Sequence, residues 1–323
     1  MKRNVLTSAS LTVSLTVVPT VLLTVVLGAI TMAGCAAPSS SATSFTPNPS
    51  GTPVAIPVAD VARRVHALLP LDALLLGEQH DAPDHQRIHR EVIETLAARG
   101  ALAGVVLEMA MQGNSTASIA ALRSNGSNGG NGRRGDNYDK EASEDAVRAA
   151  LKWDEQAWPW ATYAPAIMAA VRAGVPVMGS NMPRAQMGAA MQQPDLDQRL
   201  NGPALKAQQQ LIRLGHCNLL PESQISPMTR IQIARDVAMA NAIVQAHAND
   251  AKTVVLLAGS GHVDRTLGVP QHLPPGLKTK SVLLVAGSES DAGVKASDFD
   301  VVWAAAPVPA KDYCAGLKEK MKG

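Results

Sequence analysis

From Val58 onward, short apolar runs alternate with longer stretches whose apolar residues recur at helical spacing, and this alternation restricts the fold more than any other feature. Leu74–Leu76, Ala103–Met109, Val175–Gly179, Thr253–Ala258, Ser281–Val285 and Asp300–Trp303 are Leu-rich or β-branched and bounded by Gly, Pro or Asp. Each predicts a buried strand. Between them Arg87–Arg99, Tyr163–Ala173, Ala204–Leu214 and Thr229–Ala248 predict helices. The last would bury a stripe of Ile231, Ala234, Val237, Ala238, Asn241 and Val244, with Pro227 as its start signal. The pattern predicts an α/β fold with a mainly parallel central sheet flanked by helices. Such sheets place their chemistry in loops at the carboxyl ends of the strands.

The first residues read as an address. Lys2 and Arg3 precede an uncharged Leu/Val/Thr-rich run, Leu11–Met32, which leads into Met32-Ala33-Gly34-Cys35. This is the pattern of a bacterial lipoprotein signal peptide over residues 1–34, cut before Cys35, which would carry the lipid. The alternative is an uncleaved transmembrane anchor, because the run is nearly long enough to span a bilayer. Residues 35–57 are Ser/Thr/Pro-rich with almost no charge and read as a tether. Ala36 stands where an inner-membrane retention signal would place Asp, which favours the outer membrane, facing the periplasm. Cys217 and Cys314 then remain as an even pair in an oxidising space and are expected to bond, the alternative being two separate thiols. That bond would pin the C-terminal tail to Gly215-His216-Cys217.

Residues 58–323 are expected to form the folded domain, and the chain is long enough to bury a substantial core. Removing Lys2 and Arg3 from 29 basic residues leaves 27 against 27 acidic, so the mature chain lacks the basic surface that nucleic acid requires. Ser124–Tyr138, SNGSNGGNGRRGDNY, holds no aliphatic residue and reads as a flexible insertion, followed by a helix at Ser143–Leu151. A phosphate-gripping role for it is disfavoured, since no Gly-Lys-Ser/Thr closes it.

The candidate chemistry gathers at strand ends. In LLLGEQHDAPDHQRIH, Leu74–His89, a strand gives way to Glu78 and His80, two positions apart and able to share a substrate, proton or metal. Val105–Leu107 runs into Glu108, whose burial would be costly without a partner. Val254–Ala258 ends in Gly259-Ser260-Gly261-His262, where two glycines permit a tight turn below the imidazole. Together Glu78, His80, Glu108 and His262 point to one site. His85 and His89, four apart, have metal-ligand spacing but read better as solvated helix residues beside Arg87 and Arg90.

The pieces GEQHDAPDHQ, VVLEMA, WPWATYAPAI, PVMGSNMPR, GHCNLLPES, RIQIARDVAMA and LLAGSGHVDRTLGVPQHL, in this order, resemble the ChaN-like haem-binding lipoproteins. These sit in a wider group with erythromycin esterases and Tiki/TraB proteins. The resemblance implies a periplasm-facing lipoprotein that binds haem for iron acquisition, as a homodimer holding haems face to face, alongside an outer-membrane receptor for iron compounds. In the esterase relatives the residues matching Glu78, His80, Glu108 and His262 are catalytic, which implies a hydrolase as the rival reading. Tiki-type relatives hold a divalent metal on a Gly-x-x-His element. Gly77-Glu78-Gln79-His80 fits that form, and would add His262 to Glu78 and His80 as metal ligands. The insertion falls where relatives carry a helical cover over the ligand.

Ferric haem accepts a tyrosinate or imidazole, and its propionates need cations. Tyr163, in the aromatic segment Trp158–Tyr163 of a chain that is 3% aromatic, is the first ligand candidate, with helix packing as its alternative role. His262 and His80 could supply an imidazole, and Arg184 and Arg235 could pair with propionates. No Cys-x-x-Cys-His is present, so covalent c-type attachment is excluded.

Overall fold

Six short apolar runs become strands, and the central ones bury both faces between helices, the environment of a parallel sheet. The computed structural model describes residues 58–119, 142–247, 252–287 and 295–320; the expected signal, Cys35, the tether and the Gly/Asn insertion lie outside the described residues. The strands are β1 (Ala73–Glu78), β2 (Leu102–Met111), β3 (Val177–Asn181), β4 (Thr253–Gly259), β5 (Thr279–Ala286) and β6 (Val301–Ala305). They form one sheet, ordered β3-β2-β4-β1-β5-β6, with every pairing parallel.

The helices are α1 (Val58–Leu68), α2 (Pro83–Ala98), α3 (Glu144–Leu151), α4 (Trp160–Arg172), α5 (Arg184–Met191), α6 (Gly202–Gly215), α7 (Glu222–His247) and α8 (Tyr313–Lys320). Alternate strand residues serve opposite layers. Leu74, Leu76, Val105, Leu107, Val255 and Leu257 pack with Val61 of α1, Ile88 and Val92 of α2, and Ile167 of α4. Leu75, Val106 and Leu256 pack instead with Met239 and Ile243 of α7. Each fully buried Leu or Ile stabilises the fold by about 1.5–3 kcal/mol, so both layers are needed to hold the strand ends in register.

One helix differs from its sequence pattern. Helix α7 starts at Glu222, before Pro227, which lies inside the helix. Of the expected stripe Ile231, Ala234 and Ala238 are buried, but the face against the sheet runs through Ile233, Asp236, Met239, Ala240 and Ile243, while Asn241 and Val244 are exposed. The apolar periodicity was ambiguous because small alanines fill both faces, and contact with the sheet selected the one carrying larger side chains. The Cys217–Cys314 disulfide is present and joins the turn after α6 to α8, with Cα atoms 5.6 Å apart. No helix among the described residues is long and apolar enough to cross a membrane.

The connections set the site. The chain leaves β1 for β2 on one side of the sheet, and leaves β4 for β5 on the other, although β1 and β4 are neighbours. Their carboxyl ends therefore flank a topological switch point, where crevices form.

Candidate functional site

Three adjacent strands, β2, β4 and β1, deliver the polar cluster. Glu78 is the last residue of β1, and Glu108 lies within β2 rather than beyond it. Strand β2 pairs with β4 only as far as Leu107↔Leu257. Past that point the Glu108 carboxylate takes over, accepting the Gly259 N–H at 2.7 Å. Gly259 is required for space rather than for an unusual backbone angle: its φ is −58°. A Cβ there would stand 3.0 Å from His80 Nε2 and 3.5 Å from Glu108 Oε2. The missing side chain is what lets imidazole and carboxylate meet above β4.

Glu78 is almost fully buried and surrounded by donors. His80 Nδ1 lies 2.6 Å and the Tyr163 hydroxyl donates at 2.9 Å to Oε1, while Gln86 Nε2 donates at 2.8 Å to Oε2. Burial pushes its carboxyl up, but the His80 hydrogen bond, the neighbouring His89 and His80 charges and the Tyr163 hydroxyl hold it below the usual carboxylate range. Burial works against a charged His80, and the Glu78 hydrogen bond and nearby Glu108, 3.9 Å from Nε2, outweigh it and raise the imidazole. His80 is thus held towards its cationic form between two carboxylates.

Glu108 sits at the centre. Arg235 Nη2 donates to it at 2.6 Å, and His262 Nε2 stands 3.3 Å away. Burial alone would raise this carboxyl, but His262, His80 and Arg235 hold it far below the ordinary range. His262 is buried, with Nδ1 on both Asp236 and, at 3.0 Å, Gln232. Burial would lower its imidazole, yet Glu108 and Asp236 raise it to about 9. Burial pushes Asp236 up. The row Glu78, His80, Glu108, His262, Asp236 alternates acid and imidazole across the sheet edge, an arrangement able to hold or pass protons.

The four strand-end residues foreseen as one site are therefore together, although His262 lies underneath and His80, with 39% of its side chain exposed, is the one facing outward. Tyr163 is only 2% exposed. It packs against Trp153 and Trp158 and gives its hydroxyl to Glu78, so the phenol points into the site's foundation. Burial and the adjacent carboxylate keep it protonated well beyond the ordinary phenol range. Arg235 is committed to Glu108 and to Asn181, at 3.0 Å, and Arg184 is exposed at the start of α5.

His85 and His89 are not solvated: both are fully buried. They lie on the stripe of α2 that includes Ile88, Val92 and Leu96, and the sheet takes that stripe whole. His85 Nδ1 accepts the Gln79 N–H at 3.0 Å and so braces the Glu78–His80 loop, while burial lowers its imidazole to about 4. His89 Nδ1 lies 3.4 Å from Glu78 Oε2, and burial keeps it low. The divalent-metal reading of Glu78, His80 and His262 is unsupported. Among the described residues no group of three or more His, Cys, Asp or Glu is arranged to hold a metal. The donor atoms are spent on one another, and Arg235 already supplies a positive charge at Glu108.

Beside this row a cleft of ≈ 390 Å³ opens between α2 and α4, lined in part by His80, Asp81, Arg87, Arg90, Ala161 and Pro165. Arg87 gives Nε to Asp84 at 2.6 Å and Nη1 to Glu91 at 2.7 Å, leaving Nη2 without a partner. The side chain of Arg90 is 43% exposed. Trp158 meets the His80 ring edge-on at 4.8 Å. Neither arginine was singled out from sequence as a ligand contact, nor was Asp236. Their signals were Arg87 and Arg90 one helical turn apart, and an acid on a buried helix face.

A family model described as "Haem-binding uptake, Tiki superfamily, ChaN" matches residues 65–273. Among solved structures, ChaN of Campylobacter jejuni, solved for cofacial haem binding, is similar at TM-score 0.55 and 24% identity, covering 74% of this chain and 89% of that one; this likeness shows the fold. The type III effector HopBA1 is similar at TM-score 0.43 and 18% identity, covering 77% of this chain and 94% of the other, which is too loose to carry an argument. No curated protein matches.

Proposed function

Since the chain belongs to the haem-binding uptake family of the Tiki superfamily, the ChaN group, we propose that it captures haem in the cleft between α2 and α4 and serves haem or iron acquisition. The observation that carries this reading is the cleft's combination of chemistries. A haem is a flat apolar ring bearing two carboxylates, so it needs an apolar wall with cations at one edge. Pro83, Ala161 and Pro165 supply the wall, while Arg87, with an unpartnered Nη2, and Arg90 supply guanidiniums suited to propionates. The residues present fit the group.

The cleft is at the small end of the range for ligand pockets, about 300–1,000 Å³, and would cover one face of the ring. A homodimer with the uncovered faces together accords with the cofacial binding reported for the Campylobacter protein. Ferric haem titrated into the protein is expected to give a saturable Soret shift, and Arg87→Ala with Arg90→Ala to weaken binding at least about tenfold. An unchanged Soret band in the wild-type protein would overturn the reading.

The reading extends to the cell envelope. The Met32–Cys35 motif supports lipidation at Cys35 and attachment to the outer membrane on its periplasmic side, where a receptor for iron compounds would be the source of ligand.

A second reading, a hydrolase, is favoured by one feature that a binding wall does not need. The His80–Glu78 and His262–Asp236 pairs converge on Glu108, so His80 could act on water while the buried row supplies or removes a proton. Turnover of an ester or peptide without haem, lost in Glu78→Gln and His80→Ala, would establish it; no turnover on a broad ester and peptide panel would remove it.

A further inference from the structure

The chain that leaves β6 is fastened at several points. The Ala306 N–H donates to Asp84 at 2.9 Å, the Lys311 ammonium lies 3.2 Å from Asp81, and the Tyr313 hydroxyl donates to Asp81 at 2.9 Å. Gln79 Nε2 reaches the same hydroxyl at 3.2 Å. Residues 306–313 are thus attached at both ends to residues 79–84, the stretch that carries His80 and opens α2, and Asp81 itself lines the cleft. Beside Tyr313, Cys314 bonds to Cys217 in the turn after α6. The segment forms a strap along the His80 loop, tied down covalently just beyond it.

The covalent bond is the main hold on the far end of this strap. Helix α8 has eight residues, and from Tyr313 to Leu317 none of them is buried, so neither length nor core contact orders it. Exposed ion pairs such as Lys311–Asp81 contribute little by themselves. The other side of the tie is strained. Cys217 and Asn218 have φ of 57° and 55°, in the left-handed region, where the turn closes α6 with Asn218 N–H on the Arg213 carbonyl. Glycine fills such a position without steric conflict; here a Cβ and a sulfur stand in it, and the turn keeps that shape only while its surroundings impose it. Both cysteines are partly exposed, within reach of an attacking thiolate. The strap also lies beyond residue 273, where the family match ends.

We propose that the Cys217–Cys314 bond is a redox-cleavable lock on the cleft, opened by a protein dithiol. The proposal rests on the reading of the cleft as the ligand site. One thiolate of the dithiol attacks a sulfur of the bond, the S–S bond breaks, and a mixed disulfide forms while the other cysteine leaves and takes up a proton. The second thiol of the dithiol then displaces the remaining cysteine. Two electrons and two protons pass to Cys217 and Cys314, and the dithiol becomes a disulfide. The turn after α6 relaxes, α8 and the strap detach, and Gln79 and Asp81 lose their partners. The loop bearing His80 loosens, and the cleft gives up its ligand more readily.

The test compares the full chain, disulfide intact, with the same chain reduced under native conditions by thioredoxin and dithiothreitol. Both are treated with iodoacetamide and freed of reductant before ferric haem is added, so that no free thiol meets the haem. The reduced chain is expected to carry two more caps by mass and to keep its circular dichroism. Amide hydrogen exchange at residues 79–84 and 306–317 should be faster, and haem binding, followed by the Soret band, at least about fivefold weaker, the low end of ordinary coupling between two sites. Reoxidation before capping should restore the affinity, and Cys217→Ser with Cys314→Ser should match the reduced chain without any reductant. Resistance of the bond to thioredoxin, collapse of the circular dichroism on reduction, or equal haem affinity in the two forms overturns the lock and leaves the cleft standing. Failure of both forms to bind haem overturns the cleft reading instead, and the exchange at residues 79–84 then decides the lock by itself.

Discussion

Glu108→Gln removes one charge from the middle of the acid–imidazole row and leaves its shape, so its cost reads the electrostatics directly. In the wild-type protein Glu108 faces the buried His262 at 3.3 Å and Arg235 at 2.6 Å. Without the carboxylate the His262 imidazolium keeps Asp236 alone as its counter-charge or gives up its proton, and the cheaper course sets the penalty. Its value of about 9 puts deprotonation at pH 7 two units uphill, about 3 kcal/mol. Arg235 keeps Asn181 and partial exposure, adding about 1 kcal/mol. The variant should therefore lose about 3–4 kcal/mol at pH 7. The sign with pH follows from the direction of the shift: an imidazole raised from the ordinary 6.5 stabilises the fold fully below 6.5, and this is lost as pH rises through 9. Above pH 10 the penalty should shrink to about 1 kcal/mol. Urea unfolding followed by circular dichroism at pH 6, 7 and 10 measures it. Equal penalties at pH 7 and pH 10, or less than 1 kcal/mol at both, would refute the reasoning.

Three further outcomes are expected. Gly259→Ala would place a methyl 3.0 Å from His80 Nε2 and push the imidazole off Glu108, so the His80 titration midpoint, followed by NMR, should fall towards the ordinary value; an unmoved midpoint contradicts the packing argument. Replacing Cys217 and Cys314 with Ser should cost about 2–4 kcal/mol of stability in denaturant; a cost near zero would mean that the tie constrains little. Cys35→Ser should abolish labelling by radioactive palmitate and release the protein from the membrane fraction; continued labelling would place the lipid elsewhere.

Much of the fold was legible because its strands read the same at every level. Leu74–Leu76 and Val254–Ala258 are short, Leu- or Val-rich and bounded by turn residues, which is what a strand buried on both faces requires. The site was half legible for the same reason: Glu78, Glu108 and His262 are polar residues at the ends of such runs, and parallel strands bring those ends together. The histidines of α2 were misplaced because flanking Arg87 and Arg90 suggested a solvated face, whereas the stripe of Ile88, Val92 and Leu96 carries His85 and His89 inward. Asp236 and Tyr313 were out of reach for another reason. Each acts on a residue far along the chain, Asp236 on His262 and Tyr313 on Asp81, and no local spacing encodes a contact 26 or 232 residues apart.

The most direct measurement is a crystal structure of the protein with ferric haem. The account predicts ring density between α2 and α4, propionates within reach of Arg87 and Arg90, and His80 behind the ring. Haem found on the opposite layer of the sheet, or away from both arginines, would contradict it.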